Sequence, residues 1–156
     1  MNKKILFGVV GLLILVVGYI LLSPIWRKTS LNETLPGIQA ATSSQNLASV
    51  TTSTFLLKGS MQKSAHDVEG TASIVQSDGK TYLRFENLNT INGPDLRIYL
   101  SQARDNSDYI DLGSIRATQG NVNYQIPIGT DIAKYHYALI WCRTFHVLFS
   151  FADMEK

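Results

Sequence analysis

Two patterns of hydrophobic residues divide the chain. From Ile5 to Leu22 the first is unbroken: 18 residues carry no charge. As a helix with about 1.5 Å rise per residue, this run is roughly 27 Å long. Ile25 and Trp26 extend it towards the ~30 Å hydrocarbon thickness of a bilayer. Trp26 stands where an interfacial aromatic belongs. The run predicts an uncleaved membrane anchor. A cleaved signal peptide fits less well, because Ser23-Pro24-Ile25-Trp26-Arg27 offers no small-x-small cleavage site.

Beyond residue 50 the second pattern is alternation with period two. In Leu96-Arg97-Ile98-Tyr99-Leu100 the aliphatics share one face and Arg97 points to the other. Val122-Asn123-Tyr124-Gln125-Ile126 and Leu83-Arg84-Phe85-Glu86 repeat the pattern. Successive strand residues face opposite ways, so each run buries one side and wets the other. Turn signals separate the runs: Asp78-Gly79, Asn92-Gly93-Pro94, Gly120-Asn121 and Ile128-Gly129. Asp78-Gly79 predicts a hairpin joining Thr71–Gln76 to Tyr82–Leu88. Ala138–Cys142 and Phe145–Phe151 are apolar on both faces apart from His146 and Ser150, which predicts central strands covered on both sides. The pattern predicts an all-β domain, an antiparallel β-sandwich or barrel-like fold of about eight strands, preceded by one N-terminal transmembrane helix.

Between the two patterns the chain is rich in Ser, Thr, Asn, Gln and Ala, with Pro36-Gly37 as a breaker. It has too few large apolar residues to form a core. The expected organisation is a short tail at 1–4, the anchor at 5–22, a polar stalk at 23–50 and the β domain at 51–156. Asn32-Glu33-Thr34 is a glycosylation sequon of the kind that also arises by chance.

Charge sharpens the topology. Residues 1–49 hold four basic side chains, Lys3, Lys4, Arg27 and Lys28, against Glu33, a net of +3. Residues 50–156 hold 10 basic and 11 acidic side chains, a net of −1. The basic excess thus flanks the apolar run, and the domain lacks the electrostatic footprint of a nucleic-acid binder. Lys3, Lys4 and the α-amino group tilt the positive-inside balance towards a cytoplasmic N-terminus. The expected location is the cell membrane, with a single span and an extracytoplasmic C-terminal domain.

Candidate chemistry is sparse. Cys142 is the only cysteine, which excludes an internal disulfide framework and a multi-cysteine zinc site. Ala138 and Ile140 share its face, so it reads either as a small buried hydrophobe or as a reactive thiol supported by Arg143. His66, His136 and His146 have no partner at metal-ligand spacing. His66-Asp67-Val68-Glu69 places His66 and Val68 on one strand face and both carboxylates on the other, a poor chelate. Asp105, Asp108 and Asp111 do not match the spacing of an EF-hand loop. No hydrolase, phosphate-loop or dinucleotide-binding motif is present. Motif spacing implies no metal, leaves any cofactor unknown and gives no sign of an enzyme.

Several blocks resemble the DM13 domain family, in the family's order from about Phe55 to Met154. They are His66-x-x-x-Gly70-Thr71-Ala72, then Gly93-Pro94-Asp95-Leu96-Arg97-Ile98-Tyr99-Leu100-Ser101, then Asp111-Leu112-Gly113. Gly120-Asn121-x-x-Tyr124-x-Ile126-Pro127 and Ile140-Trp141-Cys142-Arg143-x-Phe145-x-Val147-x-Phe149 complete the set. The resemblance implies a β-rich module of extracytoplasmic proteins, in some of which it stands beside DOMON or cytochrome b561-like domains. It implies electron transfer, with the family's characteristic cysteine at Cys142. His66, Asp95 and Trp141 are the family-motif positions expected to bind. This chain carries no DOMON or cytochrome domain, so a redox partner is expected to be a separate membrane or envelope protein. The competing expectation is a ligand-binding or adhesion module presenting loops 89–95 and 103–120.

The alternation generates a direct test. Ile98→Asp should unfold the domain, because an unpaired carboxylate in an apolar core costs several kcal/mol. Loss of the strand signal in circular dichroism checks it.

Overall fold

The computed structural model describes residues 3–26, 28–37 and 53–155. One helix, α1 (Lys3–Trp26), precedes nine strands: β1 (Ser30–Asn32), β2 (Thr54–Lys63), β3 (Val68–Ser77), β4 (Lys80–Thr90), β5 (Leu96–Ser101), β6 (Tyr109–Ser114), β7 (Gln119–Ile126), β8 (Tyr137–Cys142) and β9 (Val147–Asp153). Eight of the nine fall inside the expected domain; β1 comes from the segment expected as stalk.

The strands form one sheet in the order β1-β7-β4-β3-β2-β9-β8-β5-β6. Every pairing is antiparallel except that of β1 with β7. The expectation left sandwich and barrel open. The sheet resolves them, because β2 belongs to both halves: Thr54–Ser60 pairs with β3, and Met61–Lys63 pairs with β9. A strand shared in this way lets one sheet curl into a half-barrel rather than split in two. Inner-face residues of both halves then meet in one core, among them Ile74, Leu83, Phe85, Val122, Ile98, Ile140 and Cys142.

The expected hairpin forms, with Asp78 (φ 51) and Gly79 (φ 70) between Ser77 and Lys80. Positive φ at both central residues is what a right-twisted two-residue hairpin requires. The expected double covering of β8 and β9 is also present. Their inner face lines the main core, while Tyr99, Leu139, Trp141 and Phe151 form a second buried cluster on the outer face. Phe145 differs from expectation. Cys142 pairs with Val147, so residues 143–146 form the connecting turn, with His146 at φ 53. Phe145 sits in that turn, 69% exposed.

The N-terminal segment is fastened to the sheet by polar contacts. Thr29 O accepts from the backbone N–H groups of Thr118 and Gln119 at 2.8 and 3.0 Å. Glu33 accepts from Asn123 N at 2.7 Å and pairs with Arg116. Arg84, buried on the outer face of β4, donates to Glu86, to Asn123 and to the carbonyls of Glu33 and Thr34.

Among the described residues no helix is long and apolar enough to cross a membrane. The continuous stretch of α1 with described side chains runs from Val9 to Tyr19, too short for a span, and the remainder of the expected Ile5–Leu22 anchor lies largely outside them. Residues 38–50 of the expected stalk also lie outside the described residues.

The crossing of β2 with the end of β9 yields a prediction. A Cβ on Gly59 would collide with the Asp153 carbonyl, which is backbone and cannot swing away. Gly59→Ala should therefore cost about 1–3 kcal/mol, read as a lowered urea midpoint.

Candidate functional site

Cys142 ends β8 one residue before the turn. The pleat sends Ala138, Ile140 and Cys142 inward and Trp141 outward. Cys142 is a free thiol, 1% exposed. Across the sheet it faces Leu96 on β5 and Val147 on β9. Its surroundings are those of a core residue, in line with the pattern of its strand neighbours.

Asp95 lies beside it in the chain's other motif block. Its carboxylate accepts from Arg143 Nε at 2.7 Å, and its carbonyl accepts from Arg143 N at 2.9 Å. Arg143, expected to support the thiol, is thus engaged by Asp95. Gly93 lies so close to Leu96 that an added Cβ would stand 2.9 Å from the Leu96 side chain. The three parts of the Gly-Pro-Asp block then have separate tasks. Gly93 lets the loop fold over Leu96, Asp95 ties the loop to the β8–β9 turn, and Leu96 packs opposite Cys142.

His66, half-buried, lies with its ring 4.0 Å from that of Phe149, and its backbone N donates to Phe149 O at 3.1 Å. Next to it, Lys63 approaches Asp67 at 2.6 Å and holds that exposed carboxyl below its usual range. Trp141 belongs to the outer cluster, 6.4 Å from Tyr99, which stacks in turn on Tyr109 at 4.1 Å. Burial first, and then Tyr109, hold the Tyr99 hydroxyl above the ordinary tyrosine range.

Strand direction brings all four expected residues to one end of the sheet. The β2–β3 turn with His66, the β4–β5 loop with Asp95 and the β8–β9 turn after Cys142 all open there. Along the rim, hydrogen bonds run from the β2–β3 turn through the end of β4 to the arriving chain: Thr90 Oγ1 to Asp67 O at 3.3 Å, Thr90 N to Thr118 O at 2.9 Å, and Thr118 N to Thr29 O at 2.8 Å. Trp141 lies at the same end but on the opposite face from the thiol. Sequence reasoning missed Phe149 as the partner of His66 and Arg143 as the partner of Asp95. Both depend on strand pairing and leave no local periodic signal.

The carboxylates of the 103–120 loop region are engaged elsewhere. Asp111 pairs with Arg97 at 2.7 Å, which keeps the guanidinium proton firmly bound. Asp108 accepts from Lys134 and Tyr135, and both contacts hold it below the usual carboxylate range. Among the described residues no three His, Cys, Asp or Glu side chains gather as a metal site. A cavity of about 170 Å³ lies at the far end of the sheet, lined by residues including Lys80, Gln125, Pro127 and Ile132. It is smaller than the ~300 Å³ at which ligand pockets begin.

Residues 60–154 match the family model described as Electron transfer DM13. No curated protein and no solved structure matches the chain.

The buried thiol should react slowly with a thiol reagent in the native domain and rapidly in denaturant. Asp95→Ala should cost at most about 1 kcal/mol, as a partly exposed ion pair does. It should nonetheless speed labelling of Cys142, because it unties the loop that covers Leu96. Labelling rates read by mass spectrometry, with urea midpoints alongside, check both effects.

Proposed function

We propose that this chain, which belongs to the electron transfer DM13 family, is a membrane-anchored extracytoplasmic module. It passes single electrons between Cys142 and a separate redox partner. The observation that carries the reading is the placement of His66, Asp95 and Cys142, from separated motif blocks, at one end of the matched domain.

The anchor is supported by α1. Phe7, Leu12, Leu13, Ile14, Leu15 and Tyr19 are all exposed, and the four consecutive residues Leu12–Leu15 cover every side of the helix. A helix apolar all round belongs inside a protein core or a bilayer. The lysines at its start favour a cytoplasmic N-terminus and an external domain.

Burial selects between two kinds of thiol chemistry. Disulfide exchange needs a thiolate to reach and attack a partner sulfur, and a cysteine residue at 1% exposure is closed to that approach. Electron transfer needs no such contact. Cys142 gives one electron to a one-electron acceptor on the partner and its thiol proton to solvent at the adjoining turn, leaving a neutral thiyl radical. Return of one electron and one proton restores the thiol. His66 and Asp95 hold the surrounding turns in place. A second reading, a binding module without redox chemistry, is favoured by one observation: the site around Cys142 is packed as a core.

Cys142→Ser separates the two readings. The variant should fold with a loss of about 1–3 kcal/mol from its buried hydroxyl, and Cys142→Ala avoids that hydroxyl. Both should lose electron exchange with membrane fractions, measured by voltammetry or stopped-flow spectroscopy. If both variants exchange electrons as the parent does, the thiol has no redox role and the binding reading stands.

A further inference from the structure

The end of the sheet that carries Cys142 is also the end at which the chain arrives from α1. Trp26 closes α1 and Ser30 opens β1. Four residue steps reach at most about 14 Å, even fully extended. The arriving chain is not loose: Thr29 is bonded to Thr118 and Gln119, and Lys28 Nζ donates to Asn89 Oδ1 at 3.0 Å. Those partners lie at the start of β7 and the end of β4, on the rim that also holds the β4–β5 loop and the β2–β3 turn.

This rim presents large apolar side chains outward. Ile91 in the β4–β5 loop is 46% exposed, and Phe145 in the β8–β9 turn is 69% exposed. Lys28, Lys63 and Arg143 stand among them, Lys63 paired with Asp67 and Arg143 with Asp95, so the rim has no bare carboxylate at those two positions. Exposed apolar side chains on a rim tethered this close to an apolar helix suit the boundary between acyl chains and headgroups.

We infer that this rim rests on the surface of the bilayer that holds α1, with Phe145 and Ile91 inserted at headgroup depth. The inference rests on the proposed anchoring of α1 and adds an orientation to it. The Cys142 end faces the membrane, and a partner reaches it from within the membrane plane. The opposite end, with the Asp78-Gly79 hairpin and the 91%-exposed Ile128, points away. The eight residues of β7 separate the two ends by roughly 26 Å.

The test uses the full chain in phosphatidylcholine–phosphatidylglycerol vesicles whose acyl chains carry bromine, which quenches tryptophan at short range. Phe145→Trp and Ile128→Trp each add one indole at an exposed site, and each signal is read as the difference from the parent chain. The expected result is several-fold stronger quenching of Phe145→Trp than of Ile128→Trp. Equal quenching, or stronger quenching at Ile128→Trp, with the chain retained on the vesicles overturns the orientation and leaves the anchor intact. A chain that separates from the vesicles on flotation, with Trp26 unquenched, overturns the anchor and the orientation together.

Discussion

At Gly59 the backbone of β2 passes so close to the carbonyl of Asp153 that no side chain fits between them. Just beyond this point β2 leaves β3 and takes up β9. The curl of the sheet depends on that approach. With it, the inner face of β3, β4 and β7 meets the inner face of β5, β8 and β9, and each half removes the other's aliphatic side chains from water. Without it, both halves would expose an apolar face. The main core takes residues from both halves, down to Ala72, Ile98, Ile140 and Ala152 at 0% exposure. The burial of Cys142 follows from the same closure. Its position on β8 makes it inward-facing, but only the opposing half makes it enclosed.

A second fastening is polar and acts on the outer face. Arg84 is 4% exposed, a burial that a guanidinium tolerates only when its donors are met. Glu86, Asn123 and two carbonyls of the arriving chain meet them. Glu33 completes the set by joining Arg116 and the Asn123 backbone. The short parallel strand β1 therefore owes its place to a charge network as well as to Leu31, which packs against the main core. Such a network keeps the arriving chain in register with β7, and so fixes which end of the sheet lies next to α1.

The parts legible in the sequence are those carried by period-two alternation. The inward set of β5, β7 and β8 is read directly from Leu96–Leu100, Val122–Ile126 and Ala138–Cys142. The hairpin at Asp78-Gly79 has its own chemical signature. Strand β1 was not legible, because Ser30-Leu31-Asn32 has one apolar residue, and its pairing with β7 and the Glu33 and Arg84 contacts beside it all span long sequence separations. Arg84 looked like a wetted position because alternation names a face and does not say what covers it. The curl was hidden for a related reason: periodicity fixes which side of a strand is apolar, whereas closure depends on one strand changing partners. At the site, the burial of Cys142 could be read from its neighbours. Its placement at the same end as His66 and Asp95 could not, because topology, not spacing, sets which turns open there.

The structure also changes the weight of one argument about the thiol. From sequence, a lone cysteine outside the cytoplasm looks hazardous, since an accessible thiol there is open to oxidation and mixed disulfides, and that hazard favours a role beyond packing. At 1% exposure the hazard is largely removed, so its persistence no longer needs a function to justify it. What then supports the proposed role is where the residue lies. A thiol needed only for packing could sit anywhere on the inner face of β8. Cys142 is the last residue of the strand, one position from the exposed turn, with Leu96 beside it on β5 and the Asp95–Arg143 pair closing the loop. That placement puts Cys142 beside the exposed turn while leaving it 1% exposed, which suits the proposed exchange of electrons without exchange of sulfur bonds.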